Sequence, residues 1–366
     1  VGGLPKKEKT IAAMLKEAGY ATGALGKWHL GTNEFLPTAH GFDYYFGAPM
    51  TQNECYSNIH FPGSTSPSGT FGPCPLFNGS DETVWQQSNG TYPSDPNAVD
   101  MLEVDEAYDA AIATFIRNAT TAGTPFFFYY SSHHTHAPQF AGHAFLNQTE
   151  RGLFGDSLST LDRSMGRILT LLKELQIDDS TLVIFSADNG GSLHWHDLGG
   201  VNGDFRCGKG TTFEGGHRVP TAIRWPTVIA PGTSFTGLTS ALDWYPTLRS
   251  LAGVEASPTD LVSDGYDLSD YLFNSNHSTG SPRTTFFYHA TKSTLSSAGL
   301  MALRWGKYKM HLYTQGSHCT SNFYDQACWD ATGLANHTSN PLLCVDSYYV
   351  DDLFLAFTTV SCHSSF

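Results

Sequence analysis

The sequence has few cations for its size and no long apolar run, and both shortages argue against whole classes of function. Its 366 residues include 20 lysines and arginines against 34 aspartates and glutamates, which gives a formal net charge of −14. Nucleic acids and anionic membrane surfaces attract basic patches, so neither is an expected partner. No stretch of about 18 consecutive apolar residues occurs, so we expect no membrane span. An anionic ligand would need a local group of cations.

Cysteine pairs with zinc-site spacing are also missing. No Cys-x-x-Cys pair occurs among the seven cysteines, Cys55, Cys74, Cys207, Cys319, Cys328, Cys344 and Cys362. The odd count leaves one cysteine without an internal partner. The chain begins at Val1 with no visible signal peptide, and we expect a piece of a longer protein. Glycosylation in the secretory pathway is favoured by six Asn-x-Ser/Thr sequons, at Asn78, Asn89, Asn118, Asn147, Asn276 and Asn336.

Helical and strand-like patterns alternate along the chain. Apolar residues at helical spacing predict helices over residues 7–17, 101–120 and 158–175. Apolar runs predict a short strand and three strands buried on both faces, over residues 21–25, 125–131, 181–187 and 220–225. This alternation is typical of an α/β fold with a large, mostly parallel central sheet flanked by helices. Residues 50–98 are rich in Pro, Gly, Ser and Asn, which predicts a long surface excursion.

The pattern changes to short strands near the C-terminal end. Residues 285–288, 300–305 and 307–313 are predicted to be antiparallel strands, with a hairpin turn at Gly306. We therefore predict a main domain over residues 1–284 and a small antiparallel subdomain over residues 285–366.

Residues able to handle an anion and a proton follow the predicted strands. Lys27 and His29 follow the first, inside Gly-Lys-Trp-His-Leu-Gly, and in an extended segment they would point the same way. A fixed cation beside an imidazole suits an anionic substrate and a proton transfer. His136 ends the string Ser-Ser-His-His-Thr-His after strand 125–131. A zinc site or ordinary hydrogen bonding remains open for these histidines.

Two further groups come later in the chain. Asp188 and Asn189 follow strand 181–187, and their oxygens suit Ca²⁺ or Mg²⁺, although Asp-Asn-Gly is also common in turns. Lys209 lies between glycines that let the backbone approach a ligand, although a flexible basic turn is an alternative. The Walker spacing is absent around Lys209, so we reject nucleotide binding. Because ligands of α/β folds collect where strands end, Lys27, His136 and Asp188 are expected on one sheet edge.

These strings together resemble the sulfatase family, in its arylsulfatase branch. The strings are residues 19–31, 131–140 and 206–216, and the likeness covers roughly residues 1–340. The resemblance implies an alkaline-phosphatase-like sandwich, a catalytic domain over residues 1–284, and hydrolysis of aryl, lipid or sugar sulfate esters. It implies that Lys27 and Lys209 bind sulfate, that His29 assists sulfate release and that His136 protonates the leaving oxygen. It also implies that Asp188 and Asn189 bind Ca²⁺, with Mg²⁺ as an alternative.

The resemblance also indicates which catalytic motif is missing from the 366 residues. Sulfatases use a formylglycine made from the cysteine of Cys-x-Pro-Ser-Arg, and no cysteine here has that context. We expect the formylglycine and further acidic metal ligands in a preceding segment, and therefore an inactive 366-residue piece with weakened metal binding. The family pairs Cys55 with Cys74 and Cys207 with Cys328, and elimination leaves Cys319 with Cys344. A lysosomal or extracellular location is implied.

Two alternatives remain open. One is a phosphatase or phosphodiesterase of the alkaline-phosphatase superfamily. The Gly-Lys-Trp-His and Gly-Lys-x-Thr strings favour a sulfatase over this alternative. The other is a non-catalytic secreted binding protein on a sulfatase scaffold. A homo-oligomer is possible, and residues 345–366 depart from the family pattern.

Overall fold

The computed structural model describes residues 3–50, 59–60, 76–79, 83–84, 99–193, 199–256, 263–273, 280–289, 299–312 and 357–359. The chain divides into two units. The first consists of Val1–Thr181, Trp225–Val228 and Ala241–Ser269, and the second of Leu182–Arg224, Ile229–Ser240 and Asp270–Phe366. The predicted domain boundary after residue 284 stays a prediction.

The first unit contains a five-stranded mixed sheet. Its strands are β1 (Ala21–Gly26), β2 (Tyr44–Gly47), β4 (Phe77–Gly79), β5 (Thr83–Val84) and β7 (Phe126–Ser131). They lie in the order β5-β4-β2-β1-β7, with β1 parallel to both β2 and β7 and with antiparallel pairs at the β5 side. A separate parallel pair joins β3 (Ile59–His60) and β6 (Val99–Asp100). The α/β class predicted from the sequence is confirmed, and part of the predicted surface excursion extends this sheet.

The first unit contains four helices, α1 (Ile11–Glu17), α2 (Met101–Thr121), α3 (Leu153–Glu174) and α5 (Trp244–Leu251). Helix α2 begins where it was predicted, α1 and α3 begin four to five residues away from their predicted starts, and α5 was not predicted. Helix α1 begins after Thr10 because the Thr10 hydroxyl accepts a hydrogen bond from the backbone N–H of Ala13 at 3.0 Å. Helix α2 packs aromatic side chains against the sheet, with the Tyr108 and Phe46 rings 4.8 Å apart, edge to face.

Burial on both faces was predicted for strands 125–131, 181–187 and 220–225, and this is wrong for all three. Strand β1 is buried from Thr22 to Gly26, whereas β7 is only half-buried and Tyr129 on it is 46% exposed. Strand β7 is the end strand of its described sheet, so one side of its ladder has no described strand. The other two runs form a small antiparallel sheet in the second unit, β8 (Val183–Ser186) with β9 (Thr221–Arg224).

The second unit also contains a four-stranded antiparallel sheet. Its strands are β10 (Thr285–His289), β11 (Leu300–Trp305), β12 (Tyr308–His311) and β13 (Phe357–Thr359), paired in that order. Gly306 turns between β11 and β12 with φ of 54°, so the predicted hairpin is confirmed. The short helix α4 (Glu214–His217) belongs to this unit, and α6 (Ser269–Leu272) begins where the first unit ends. Among the described helices, none is long and apolar enough to cross a bilayer.

Candidate functional site

The end of β1 fixes Lys27 through its backbone. The N–H of Lys27 donates to the Ser131 carbonyl at 2.9 Å, and that of His29 donates to the Pro49 carbonyl at 2.9 Å. Gly26 makes this possible, because it has φ of 88° and a Cβ there would lie 1.9 Å from the Ser131 oxygen. The segment is therefore held between the ends of β2 and β7.

Trp28 anchors the same segment, while the residues on either side of it remain accessible. Its indole N–H donates to the Phe35 carbonyl at 2.7 Å, and the side chain is buried against Phe42. Lys27 is half-buried and His29 is exposed. The prediction of an extended segment through His29 is wrong, because β1 ends at Gly26 and His29 adopts φ of 55°. The shared direction of Lys27 and His29 therefore has no support from strand geometry.

The loop after β7 carries His136 to the same edge of the sheet. Strands β1 and β7 are parallel, with Gly26 opposite Ser131, so Lys27 and the loop after Ser131 leave the sheet together. The half-buried His136 ring places Nδ1 2.6 Å from the carbonyl oxygen of Ala137. Because a carbonyl only accepts, Nδ1 carries the proton of that bond, and Nε2 is the nitrogen suited to proton exchange with a substrate.

The side chains of His133 and His134 are buried and hydrogen-bonded inside the first unit. The His133 ring contacts the Tyr108 hydroxyl at 3.2 Å, and burial, together with His134, Lys27 and His136, lowers the pKa of His133 to about 3. His133 is therefore neutral at physiological pH. His134 lies between Asp105 and Ser157.

Asp105 was not singled out from the sequence. It lies four residues after Met101 and three before Tyr108, on the apolar face of α2, where both of those neighbours are buried. A carboxylate on the apolar face of a predicted helix is the signal that could have identified it. Ser157 left no comparable signal.

The second unit brings Asp188 and Asn189 together with Lys209. The N–H of Lys209 donates to the Gly191 carbonyl at 3.0 Å, and the N–H of Gly190 donates to the Gly216 carbonyl at 3.1 Å. A Cβ at Gly190 would lie 1.6 Å from the Gly215 oxygen, so only glycine permits this close approach. The segment after β8 and the glycine-rich loop around Lys209 thus form one corner of the unit.

Two side chains that sequence reasoning missed hold this corner. Asn202 accepts from the Gly191 N–H at 2.7 Å and donates to the Cys207 carbonyl at 2.8 Å. Glu214 accepts from Lys309 at 2.9 Å and from Arg304 at 3.2 Å, which ties the loop to β11 and β12. Glu214 lies in the glycine-rich string, but its partners are about 90 residues away and left no sequence signal.

The oxygen donors of Asp188 and Asn189 fit part of a site for a hard cation. The Asp188 side chain is exposed, and the Asn189 amide nitrogen donates to the Gly190 carbonyl at 3.0 Å, which leaves the amide oxygen as the acceptor. Ca²⁺ takes six to eight oxygen ligands, roughly, so this pair supplies a minority of them. Within the described ranges no group of three His, Cys, Asp or Glu side chains is placed to hold a metal.

The predicted residues thus fall into two sets. Lys27, His29 and His136 lie in the first unit, at one edge of its sheet, and Asp188, Asn189 and Lys209 lie in the second. Asp188 follows β8, which belongs to a different sheet from β1 and β7. The expectation that it shares their sheet edge is therefore wrong for the described strands. Of the cysteines, Cys207 is described and buried, and the predicted disulfide pairs include residues outside the described part.

Comparison with known proteins gives consistent likenesses. The Sulfatase family model matches residues 1–254. Arylsulfatase A of Bos taurus is 41% identical over 351 residues, covering 93% of this chain and 64% of that protein. Arylsulfatase A of Homo sapiens is 40% identical, covering 93% of this chain and 65% of that protein. N-acetylgalactosamine-6-sulfatase of Canis lupus familiaris is 36% identical, covering 86% and 56%.

Solved structures extend the likeness to the fold. PsFucS1 sulfatase from Pseudoalteromonas sp. matches with a TM-score of 0.73 and 25% identity, covering 87% of this chain and 64% of that one. Ps i-CgsB matches with a TM-score of 0.65 and 26% identity, covering 85% and 66%. These neighbours confirm the alkaline-phosphatase-like α/β fold. The chain spans less than two thirds of the length of these curated relatives.

Proposed function

This chain belongs to the sulfatase family, and from that premise we propose that the whole protein hydrolyses sulfate monoesters. The observation that carries the proposal is the edge at β1 and β7, where a lysine fixed by its backbone and a histidine oriented through Nδ1 leave the sheet together. Hydrolysis of a sulfate ester needs cations for the sulfate oxygens and a proton for the leaving oxygen. Lys27 supplies a cation, and His136 supplies the proton.

The remaining roles follow from residue chemistry and from the family string. Lys209 binds sulfate oxygens, and its backbone anchoring to Gly191 limits its freedom before substrate arrives. His29 is exposed and assists the release of sulfate. Asp188 and Asn189 contribute oxygens to a Ca²⁺ site, with Mg²⁺ as the alternative. A bound divalent ion would add positive charge at the sulfate group.

The nucleophile is proposed to lie outside these 366 residues. Members of the family use a formylglycine and a metal ion, and none of the seven cysteines precedes x-Pro-Ser-Arg. We infer that the 366 residues alone do not turn over substrate. We also infer that they bind calcium more weakly than a complete ligand set does.

The substrate is proposed to be an aryl, lipid or sugar sulfate. Arylsulfatase A and N-acetylgalactosamine-6-sulfatase are both among the relatives, and a solved structure of Ps i-CgsB contains k-i-k-neocarrahexaose. We propose residence in the secretory pathway, in lysosomes or outside the cell. Among the described sequons, Asn118 and Asn147 are exposed, as glycosylation requires, whereas the Asn78 side chain accepts from the Tyr44 hydroxyl at 2.7 Å.

The test is turnover by the full-length protein supplied with Ca²⁺. We expect hydrolysis of 4-nitrophenyl sulfate in preference to 4-nitrophenyl phosphate. Lys209→Ala should lower kcat/KM for the sulfate by about 100-fold or more, because a charge-stabilising group is lost. Lys307→Ala, an exposed lysine at the hairpin after β11, is the matched control and should leave the rate unchanged. Preference for the phosphate ester would favour the phosphatase alternative, and turnover of neither ester would favour the binding protein.

A further inference from the structure

His134 is held on both sides of its ring inside the first unit. Its Nε2 lies 3.0 Å from Asp105 Oδ2, and its Nδ1 lies 2.9 Å from the Ser157 hydroxyl. The side chains of His134 and Asp105 are 1% and 2% exposed, and Ser157 is fully buried. Polar groups this deeply buried are rarely placed without a purpose, because each must find a partner to offset its loss of water.

Serine, histidine and carboxylate in contact can form a hydrolytic triad, but that explanation fails here. A nucleophilic hydroxyl must reach substrate, and the Ser157 side chain is enclosed. The contacts instead connect three separate elements of the fold. Asp105 lies on α2, Ser157 lies on α3, and His134 lies on the loop after β7. The imidazole therefore ties this loop to both helices.

His136 is two residues beyond the anchor, near the start of the loop that runs from β7 to α3. The N–H of His136 donates to the His133 carbonyl at 3.1 Å, and the N–H of His134 donates to the Ser132 hydroxyl at 3.1 Å. The His134 ring also packs on Phe140, with ring centres 4.3 Å apart. Because His136 is hydrogen-bonded to His133, the residue directly before His134, a displacement of His134 should also move His136.

We propose that Asp105 and His134 are positioning residues for His136, holding its imidazole at the carboxyl end of β7 in the orientation required for proton donation. This inference rests on the proposed function for the chemistry that His136 performs. It extends that function by assigning a task to two buried side chains that touch no substrate. If it holds, loss of the pair should harm proton donation more than substrate binding.

Leaving-group dependence in the full-length protein tests this directly. Phenyl sulfate needs a proton on its departing oxygen far more than 4-nitrophenyl sulfate does, because the nitro group stabilises the phenolate. Asp105→Asn and His134→Ala should lower kcat for phenyl sulfate at least about 10-fold more than kcat for 4-nitrophenyl sulfate, with little change in KM. His134→Gln retains a donor toward Asp105 and should recover most of the phenyl sulfate rate.

A matched control and a second measurement make every outcome decisive. Asp109→Asn, one turn along α2 where the carboxylate faces Arg167 and Arg163, should leave the ratio of the two rates unchanged. Equal losses on both esters in Asp105→Asn would reduce the pair to a purely structural role and overturn the proposal. If the wild-type protein hydrolyses neither ester, the proposed function fails. Nitrogen-15 NMR of the imidazoles in the 366-residue chain then decides about positioning.

The imidazole nitrogen-15 shifts of Asp105→Asn and His134→Gln should be compared with those of Asp109→Asn. Altered ring-nitrogen shifts of His136 in Asp105→Asn, with wild-type shifts in Asp109→Asn, would support the positioning role. Unchanged His136 shifts in Asp105→Asn would overturn it. Thermal unfolding of each variant confirms that the compared chains are folded.

Discussion

Removing the charge of Glu214 should destabilise the second unit, because this carboxylate neutralises two cations below the surface. The side chain of Lys309 is 1% exposed and that of Glu214 is 14% exposed, with 2.9 Å between Nζ and Oε1. Arg304 approaches the other oxygen at 3.2 Å. The Lys309 ammonium also lies 3.7 Å from the centre of the Tyr288 ring. Glu214→Ala would therefore leave an enclosed ammonium without this carboxylate, beside the face of the Tyr288 ring.

The magnitude follows from which charge is left behind. Breaking a buried pair by removing one partner costs about 3–5 kcal/mol, and Glu214→Ala should fall in that range. Lys309→Met should cost less, about 1–2 kcal/mol, because Arg304 still neutralises Glu214 and methionine replaces most of the apolar stem. The double variant Glu214→Ala/Lys309→Met should be more stable than Glu214→Ala alone, since no unpaired ammonium remains.

The same pair predicts a pH dependence. Burial raises the pKa of Glu214, but Lys309 and Arg304 outweigh it, so the pKa lies below its ordinary value of 4.5. A carboxyl group with a depressed pKa stabilises the folded state fully above the unfolded value and loses that contribution as the pH falls through the folded value. The difference in unfolding free energy between wild type and Glu214→Ala should therefore be constant near neutral pH and shrink below about pH 4.5.

Urea unfolding at pH 7, followed by tryptophan fluorescence of the 366-residue chain, measures these differences. Glu174→Gln is the matched control, because Glu174 forms an ion pair with Arg117 in which both side chains are more than half exposed. An exposed pair should contribute about 0–1 kcal/mol. Equal unfolding free energies for Glu214→Ala and Glu174→Gln would refute the reasoning, as would a Lys309→Met variant less stable than Glu214→Ala.

Two further outcomes follow from the first unit. Gly26→Ala should lower the urea midpoint, because φ of 88° and the Ser131 oxygen 1.9 Å from a Cβ both oppose alanine, whereas Gly166→Ala in α3 meets no atom within 4 Å and should stabilise by about 0.5–1 kcal/mol. His133 has a folded pKa of about 3, below the ordinary 6.5. The unfolded chain therefore binds the extra proton first, and stability should fall as the pH drops from 6.5 toward 3, less steeply in His133→Gln. Urea midpoints measured across that pH range show whether stability falls with decreasing pH and whether it falls less steeply in His133→Gln.

Local patterns in the sequence predicted many of the elements and the strings that carry the chemistry, although β2 and α5 were not predicted. Helix α2 and strand β1 lie where their periods predict, and the turn at Gly306 follows from the hairpin pattern. Burial of the later strands could not be predicted in this way. An apolar run such as 181–187 indicates a strand, but not whether it joins a large parallel sheet or pairs antiparallel with one neighbour, as β8 does with β9.

The candidate site also separates into features that the local sequence predicts and features that depend on distant residues. Its lysines are positioned by the backbone: the N–H of Lys27 donates to Ser131, and the N–H of Lys209 donates to Gly191. Close backbone approach requires glycine, and glycine in a fixed string is visible in one sequence. The side chains that support these segments, such as Asp105 and Glu214, act on partners far away in the chain. The apolar face of α2 could have pointed to Asp105, but no local pattern identifies the partners of either residue. In a chain with a net charge of −14, this division has a physical consequence. Each of these lysines extends from a backbone position that is fixed by hydrogen bonds, and such a fixed origin for a positive charge suits an anionic substrate.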